Sequence, residues 1–162
     1  MKHLLIFITI FQLLFSIETE FIDFTQPEFN DYSLFKKQKG QPTWLVSGIY
    51  QIEFGEDLPF KRNYNRYSKN WPEILPFVLK RKPIYPSIAV WSGLNHGHIA
   101  YVEHIDFKKN KDDDLIYFRE ANYPLINNKI DKYDGLLKVL KYKRFKNRIK
   151  KFRGFLDLNE FK

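Results

Sequence analysis

Residues 97–107 read GHIAYVEHIDF, and their alternation decides the fold class. In an extended chain successive side chains point to opposite faces, so Ile99, Tyr101 and Glu103 share one face and His98, Ala100, Val102 and His104 the other. The neighbouring segments extend the pattern. PSIAVW (86–91) is a short apolar run, KKNKDDD (108–114) a charged turn, and LIYFREANY (115–123) a third strand with Ile116, Phe118, Glu120 and Asn122 on a common face. In DGLLKVLKYKRF (134–145), Asp134-Gly135 supplies a turn before a further strand, and KKFRGFLDL (150–158) closes the sheet. Consecutive strands joined by short polar turns favour an antiparallel sheet.

Upstream the texture is helical. From Pro42 to Phe54, Leu45, Ile49 and Ile52 recur with Trp44 and Tyr50 at a spacing that suits three helical turns, ended by Gly55. EDLPFKRNYNRYSKN (56–70) reads as a loop. NWPEILPFVLKRK (70–82) reads as a second, shorter helix with Asn70 as N-cap and Pro72 in its first turn, Pro76 limiting its continuation. Helices first and strands after make the chain α+β, with N-terminal helices packed on an antiparallel β-sheet. No internal repeat or low-complexity tract is visible.

A length of 162 residues suits one domain, and 44% hydrophobic with 18% aromatic residues is ample for one core. Lys2 and His3 precede an apolar run from Leu4 to Phe15, broken by Thr9 and Gln12. That is shorter than the roughly 20 residues of a membrane span, so residues 1–19 are expected to be a signal peptide, and the protein secreted, periplasmic or otherwise extracytoplasmic. Residues 20–37 then read as an irregular arm and 38–162 as the domain. With no cysteine, disulfides, a thiol nucleophile and Cys-ligated zinc are all excluded.

The formal charge of +8 and pI of about 9.5 favour anionic partners. The cations concentrate in KVLKYKRFKNRIKKFR (138–153): Lys138, Lys141, Lys143, Arg144, Lys146, Arg148, Lys150, Lys151 and Arg153. Basic residues interleaved with aromatics suit an anionic polymer or, as the bland alternative, a solvated basic hairpin. Nucleic acid is the disfavoured version for an exported protein. The aspartates at 112–114 lack the Gly-turned spacing of a calcium loop and read as a solvated tip. His96 and His98 share a strand face, but His104 lies roughly 20 Å further along an extended chain and cannot complete a metal site with them. No metal or cofactor is expected.

Three features line up as a constellation. A helix begins at Pro42, His98 opens a long strand after Gly97, and Glu120 and Asn122 share a face of the next strand. A nucleophile at a helix N-terminus, a histidine base and a carboxylate or amide that orients it make the papain-type arrangement. GQPTWLVSGIY (40–50), IAVWSGLNHGHIAYVEHI (88–105), IYFREANY (116–123) and FRGFLDL (152–158) together resemble the CHAP domain, a papain-like family of cysteine- and histidine-dependent amidohydrolases and peptidases, many of which cut peptidoglycan. The resemblance covers roughly residues 38–158 and implies a CHAP fold.

It also implies the site. The family's Gly-Gln-Cys-Thr-Trp stands here as Gly-Gln-Pro-Thr-Trp, so Pro42 occupies the nucleophile position. His98 takes the place of the base, and Glu120 or Asn122 that of its orienting partner. The Gly-Asp that commonly precedes the Ala-Val-Trp strand is replaced by Pro86-Ser87. Thr43 does not substitute, because one residue along a helix turns the side chain by about 100°, and Ser47 stands roughly 7 Å of rise away. Trp44, Trp91 and Tyr123 are candidate binding residues, the two tryptophans equally placed to be core. The expected function is therefore a non-catalytic one, binding peptidoglycan, a muropeptide or a protein ligand. A hydrolase with a non-thiol or metal-assisted mechanism is the alternative, and an anion-binding protein with an idle cleft a third.

Overall fold

Pro42 lacks an N–H and has its φ fixed near the helical value, so it costs nothing at a first helical position. The computed structural model, which describes residues 29–61, 66–122 and 135–161, starts a helix there. Helix α1 is Phe29–Tyr32, α2 Pro42–Phe54, α3 Trp71–Ile74 and α4 Tyr142–Asn147; short 3₁₀ turns cover Lys36–Gln38, Ser68–Asn70 and Lys111–Asp113. The strands are β1 Phe77–Lys80, β2 Ser87–Trp91, β3 His98–Asp106, β4 Leu115–Arg119, β5 Lys138–Lys141 and β6 Phe152–Phe161. Tyr123 and Asp134, named above, lie outside the described residues. The architecture is α+β: one six-stranded sheet in the order β1-β6-β2-β3-β4-β5, antiparallel throughout.

The sheet has a packed layer on each face. Ile88 and Val90 of β2, Ile99 and Tyr101 of β3, and Leu156 and Leu158 of β6 face Trp44, Leu45 and Ile49 of α2, with Trp71 and Phe29 completing that core. Ala89 and Trp91, Ala100 and Val102, and Phe155 face the other way, onto Tyr142 and Phe145 of α4 and Ile149 beyond it. Strict alternation thus buries β2 on both sides, as its unbroken apolar run requires. Gly48 lets α1 lie on α2, since a Cβ there would run into the Phe29 ring. Gly48→Ala is expected to cost about 1–3 kcal/mol by overpacking, read as a lowered urea midpoint at unchanged m-value.

Five sequence expectations need correction. The helix read over 70–82 is one turn long, with Leu75 extended (ψ 147°) ahead of Pro76, because a residue before proline is pushed out of the helical region. Phe77–Lys80 is then an edge strand hydrogen-bonded to β6. Asn70 makes no side-chain cap; it ends a 3₁₀ turn. The strand read through residue 145 stops at Lys141, and α4 follows, since Tyr142, Phe145 and Ile149 recur at helical spacing and share the second core. β6 lies not at the sheet's edge but between β1 and β2. The arm is not irregular throughout, carrying α1 and a 3₁₀ turn.

Candidate functional site

Helix α2 opens on Gln41, an extended N-cap residue (ψ 157°) whose carbonyl accepts the Leu45 N–H at 3.1 Å. Its side chain does not cap the helix. Instead its amide oxygen accepts a hydrogen bond from Asn122 Nδ2 at 2.8 Å. Thr43 Oγ1 donates to Gln38 Oε1 at 3.0 Å. Ser47, the other hydroxyl weighed from sequence, is buried and shares a 2.7 Å hydrogen bond with Ser33. Pro42 carries no polar side-chain atom, so the helix tip presents no nucleophile.

An open cleft of about 570 Å³ lies at this tip. Phe35, Gln38, Gln41, Pro42 and Thr43 form one side; Arg66, Tyr67, Ser68, His96 and Gly97 form the other. The Tyr67 ring, 43% exposed, lies 4.4 Å from the His96 ring, and Arg66 covers Phe60 at 5.0 Å. Gly97 is held at φ 79°, where its missing Cβ lets the turn close on the Lys69 backbone. That closure is fastened by Lys69 N–H and Ser68 Oγ, which donate to the His96 carbonyl at 3.2 and 2.9 Å.

Gly97→Ala combines left-handed backbone with a backbone clash. It is expected to open this wall, and should weaken any ligand held in the cleft more than it lowers the melting midpoint, a comparison that titration and thermal unfolding make directly.

His98 follows at once, but on the far face. It opens β3 directly opposite Trp91, whose ring centroid is 5.8 Å away, and is only 2% exposed. It is not among the walls of the cleft. Its Nε2 meets Glu120 Oε2 at 2.8 Å. Glu120 is buried too, and it also receives Arg148 Nη2 on Oε2 and Lys138 Nζ at 3.3 Å on Oε1. The Arg148 guanidinium lies over the Trp91 and Phe118 rings at 5.3 and 4.9 Å.

Burial, reinforced by the positive charges of Arg148 and Lys138, holds the imidazole well below its ordinary value. His98 is therefore neutral at pH 7, and its Nε2–H donates to the Glu120 carboxylate. Burial also lowers Arg148 from 12.5 to about 9, still charged at neutral pH.

The positions named from sequence thus separate into two groups. His98 and Glu120 are brought together. Asn122 is not on their face: its φ of 52° re-aims it toward Gln41 and the helix tip. Trp44 and Trp91 are both fully buried, in the two cores; their indole N–H groups donate to Asn30 Oδ1 (3.1 Å) and to the Lys146 carbonyl (3.3 Å), so neither offers a face to a ligand. Sequence reasoning missed Gln38, Gln41, Arg66 and Tyr67 as cleft walls, and Arg148 as the second partner of Glu120. None of them stands in a pattern that marks it.

The remaining polar motifs resolve as follows. Of the aspartates at 112–114, Asp112 and Asp113 lie at a half-exposed tip as expected, but in ion pairs, and Asp114 is buried. Asp112 pairs with Lys146 (3.1 Å), Asp113 with Lys141 (2.8 Å), and buried Asp114 accepts the Lys108 N–H (2.7 Å). His104 lies between the rings of Tyr85 and Tyr117. Among the described residues no group of three His, Asp or Glu side chains converges as a metal site, and no helix is long and apolar enough to cross a membrane. No protein-family model, curated protein or solved structure matches this chain.

Proposed function

We propose that this chain is an exported, CHAP-like protein of papain-like ancestry that binds a cell-wall peptide without cleaving it. The observation that carries the reading is Pro42. A residue with neither a side-chain proton nor a lone pair stands at the tip of α2, on the side of an open cleft. A thiol there would gain from the helix N-terminus and a nearby imidazole, and proline gains from neither.

What the cleft offers suits recognition. Among the described residues, two glutamine amides, the Thr43 and Ser68 hydroxyls, the Tyr67–His96 pair and the Arg66 guanidinium surround it, with no carboxylate. Such a surface matches a peptide with amide groups and small apolar side chains. A few placed polar groups on a concave, partly aromatic wall is the usual composition of a ligand site.

The test pairs retention with turnover. The protein should co-sediment with purified peptidoglycan and bind soluble muropeptides, while releasing no new amino groups or soluble fragments. Tyr67→Ala should weaken muropeptide binding by about tenfold, as loss of one aromatic anchor does. Turnover that survives a chelator and vanishes in Thr43→Ala or His96→Ala would refute the dead site. Turnover abolished by the chelator would establish metal-assisted hydrolysis instead.

A further inference from the structure

We infer that the outer face of α4 and the turn after it form a second binding surface, independent of the cleft, for a flexible polymer of repeating phosphodiesters. Of the nine cations between residues 138 and 153, five are engaged within the fold. Lys138 and Arg148 meet Glu120, Lys141 meets Asp113, Lys146 meets Asp112 and Arg153 meets Glu73. Lys143, Arg144, Lys150 and Lys151 make no ion pair among the described residues, Lys143 acting on Asp113 only at longer range. All four are exposed.

Tyr142 and Phe145 of α4, and Ile149 in the turn after it, are buried, whereas 143, 144 and 147 on the helix and 150 and 151 in the turn are exposed and make one outward stripe. Four of those five positions are cationic, and Asn147 is the exception. The stripe has no acid within it, because the nearby carboxylates are already spent on the other cations.

The same geometry selects the occupant. A helix that enters a membrane surface needs exposed apolar side chains beside its cations; here Tyr142 and Phe145 of α4 are turned into the core, and the exposed Leu136, Leu137 and Val139 precede the helix and are not part of the stripe. Binding to single-stranded nucleic acid draws much of its strength from bases stacked on exposed rings, and Tyr142 and Phe145 are unavailable for that. What is left is attraction to phosphates alone.

The experiment measures binding of poly(glycerol phosphate) to the full chain between 20 and 300 mM salt. With four cations releasing counterions, log affinity should fall against log salt with a slope of about −3; engagement of all nine would give about −6. The combined variant Lys143→Gln, Arg144→Gln, Lys150→Gln and Lys151→Asn should flatten the slope to near zero with an unchanged melting midpoint. Asn is used at 151 because that residue sits at φ 57°. Tyr67→Ala should leave polymer binding intact.

The inference is overturned by a wild-type slope near −6, by a variant that keeps the wild-type slope, or by tighter binding, per phosphate, to single-stranded DNA or to phosphatidylglycerol vesicles.

Discussion

Glu120→Ala should lower the unfolding free energy by about 3–5 kcal/mol, the largest effect of any single substitution in this protein outside the hydrophobic core. The reason is asymmetry. Among the described residues Glu120 is the carboxylate that His98, Arg148 and Lys138 share, and all four groups lie beneath the surface or nearly so. Removing it takes that shared acceptor from two cations and a buried imidazole at once. Arg148→Met keeps apolar packing over Trp91 and Phe118 without the guanidinium, and leaves Glu120 bonded to His98 and Lys138. Its cost should therefore be less than half as large. Urea unfolding at pH 7.5 of the two variants and wild type reads the difference. Equal losses would mean that the packing of Arg148, and not charge compensation, makes the cluster matter. Should Glu120→Ala fail to fold, Glu120→Gln gives the same ordering with a neutral isostere.

That cluster also marks how far the sequence could be read. β2, β3 and β4 are legible because alternation is a local signal, and α2 because Pro42, the apolar spacing and Gly55 agree; Gly55 indeed sits at φ 73° and closes the helix on the Gln51 carbonyl. β1 was hidden because its hydrogen-bond partner lies some eighty residues downstream, so nothing near Phe77 announces an edge strand. The position of β6 inside the sheet is equally non-local. α4 was missed because Leu140 and Tyr142 continue a strand's alternation while Tyr142, Phe145 and Ile149 keep helical spacing, and the second core decided between them.

The site divides the same way. His98 and Glu120 could be paired through the resemblance, but whether they face a cleft depends on which side of β3 each residue takes. Alternation sends Ile99 and Tyr101 to α2 and His98 to the opposite layer. The turn of Asn122 toward Gln41 rests on one left-handed residue, for which asparagine is suited but which no pattern foretells. Lys138 and Arg148 read as surface charges because the sequence does not say which carboxylate lies beneath them.

Acidification below about pH 6.5 should destabilise the protein through His98. In the unfolded chain this imidazole takes a proton near 6.5, whereas in the fold it stays neutral to a much lower pH, because burial and the charges of Arg148 and Lys138 oppose protonation. Below 6.5 the unfolded state therefore holds more protons than the native state. Stability is full above about pH 7 and falls as pH drops, by up to 1.4 kcal/mol per unit, until the folded-state value is reached. The charged groups facing the ring are Glu120, Arg148 and Lys138, and Glu120 stays compensated by the two cations through this range. His98→Gln keeps an N–H toward Glu120 but cannot titrate. It should thus remove most of the slope between pH 7 and 5 while changing stability at pH 5 far less than Glu120→Ala does. Urea midpoints taken at half-unit intervals provide the measurement. A His98→Gln variant with an undiminished slope would show that the ring takes up its proton alike in the folded and unfolded chain, so that burial does not hold it neutral.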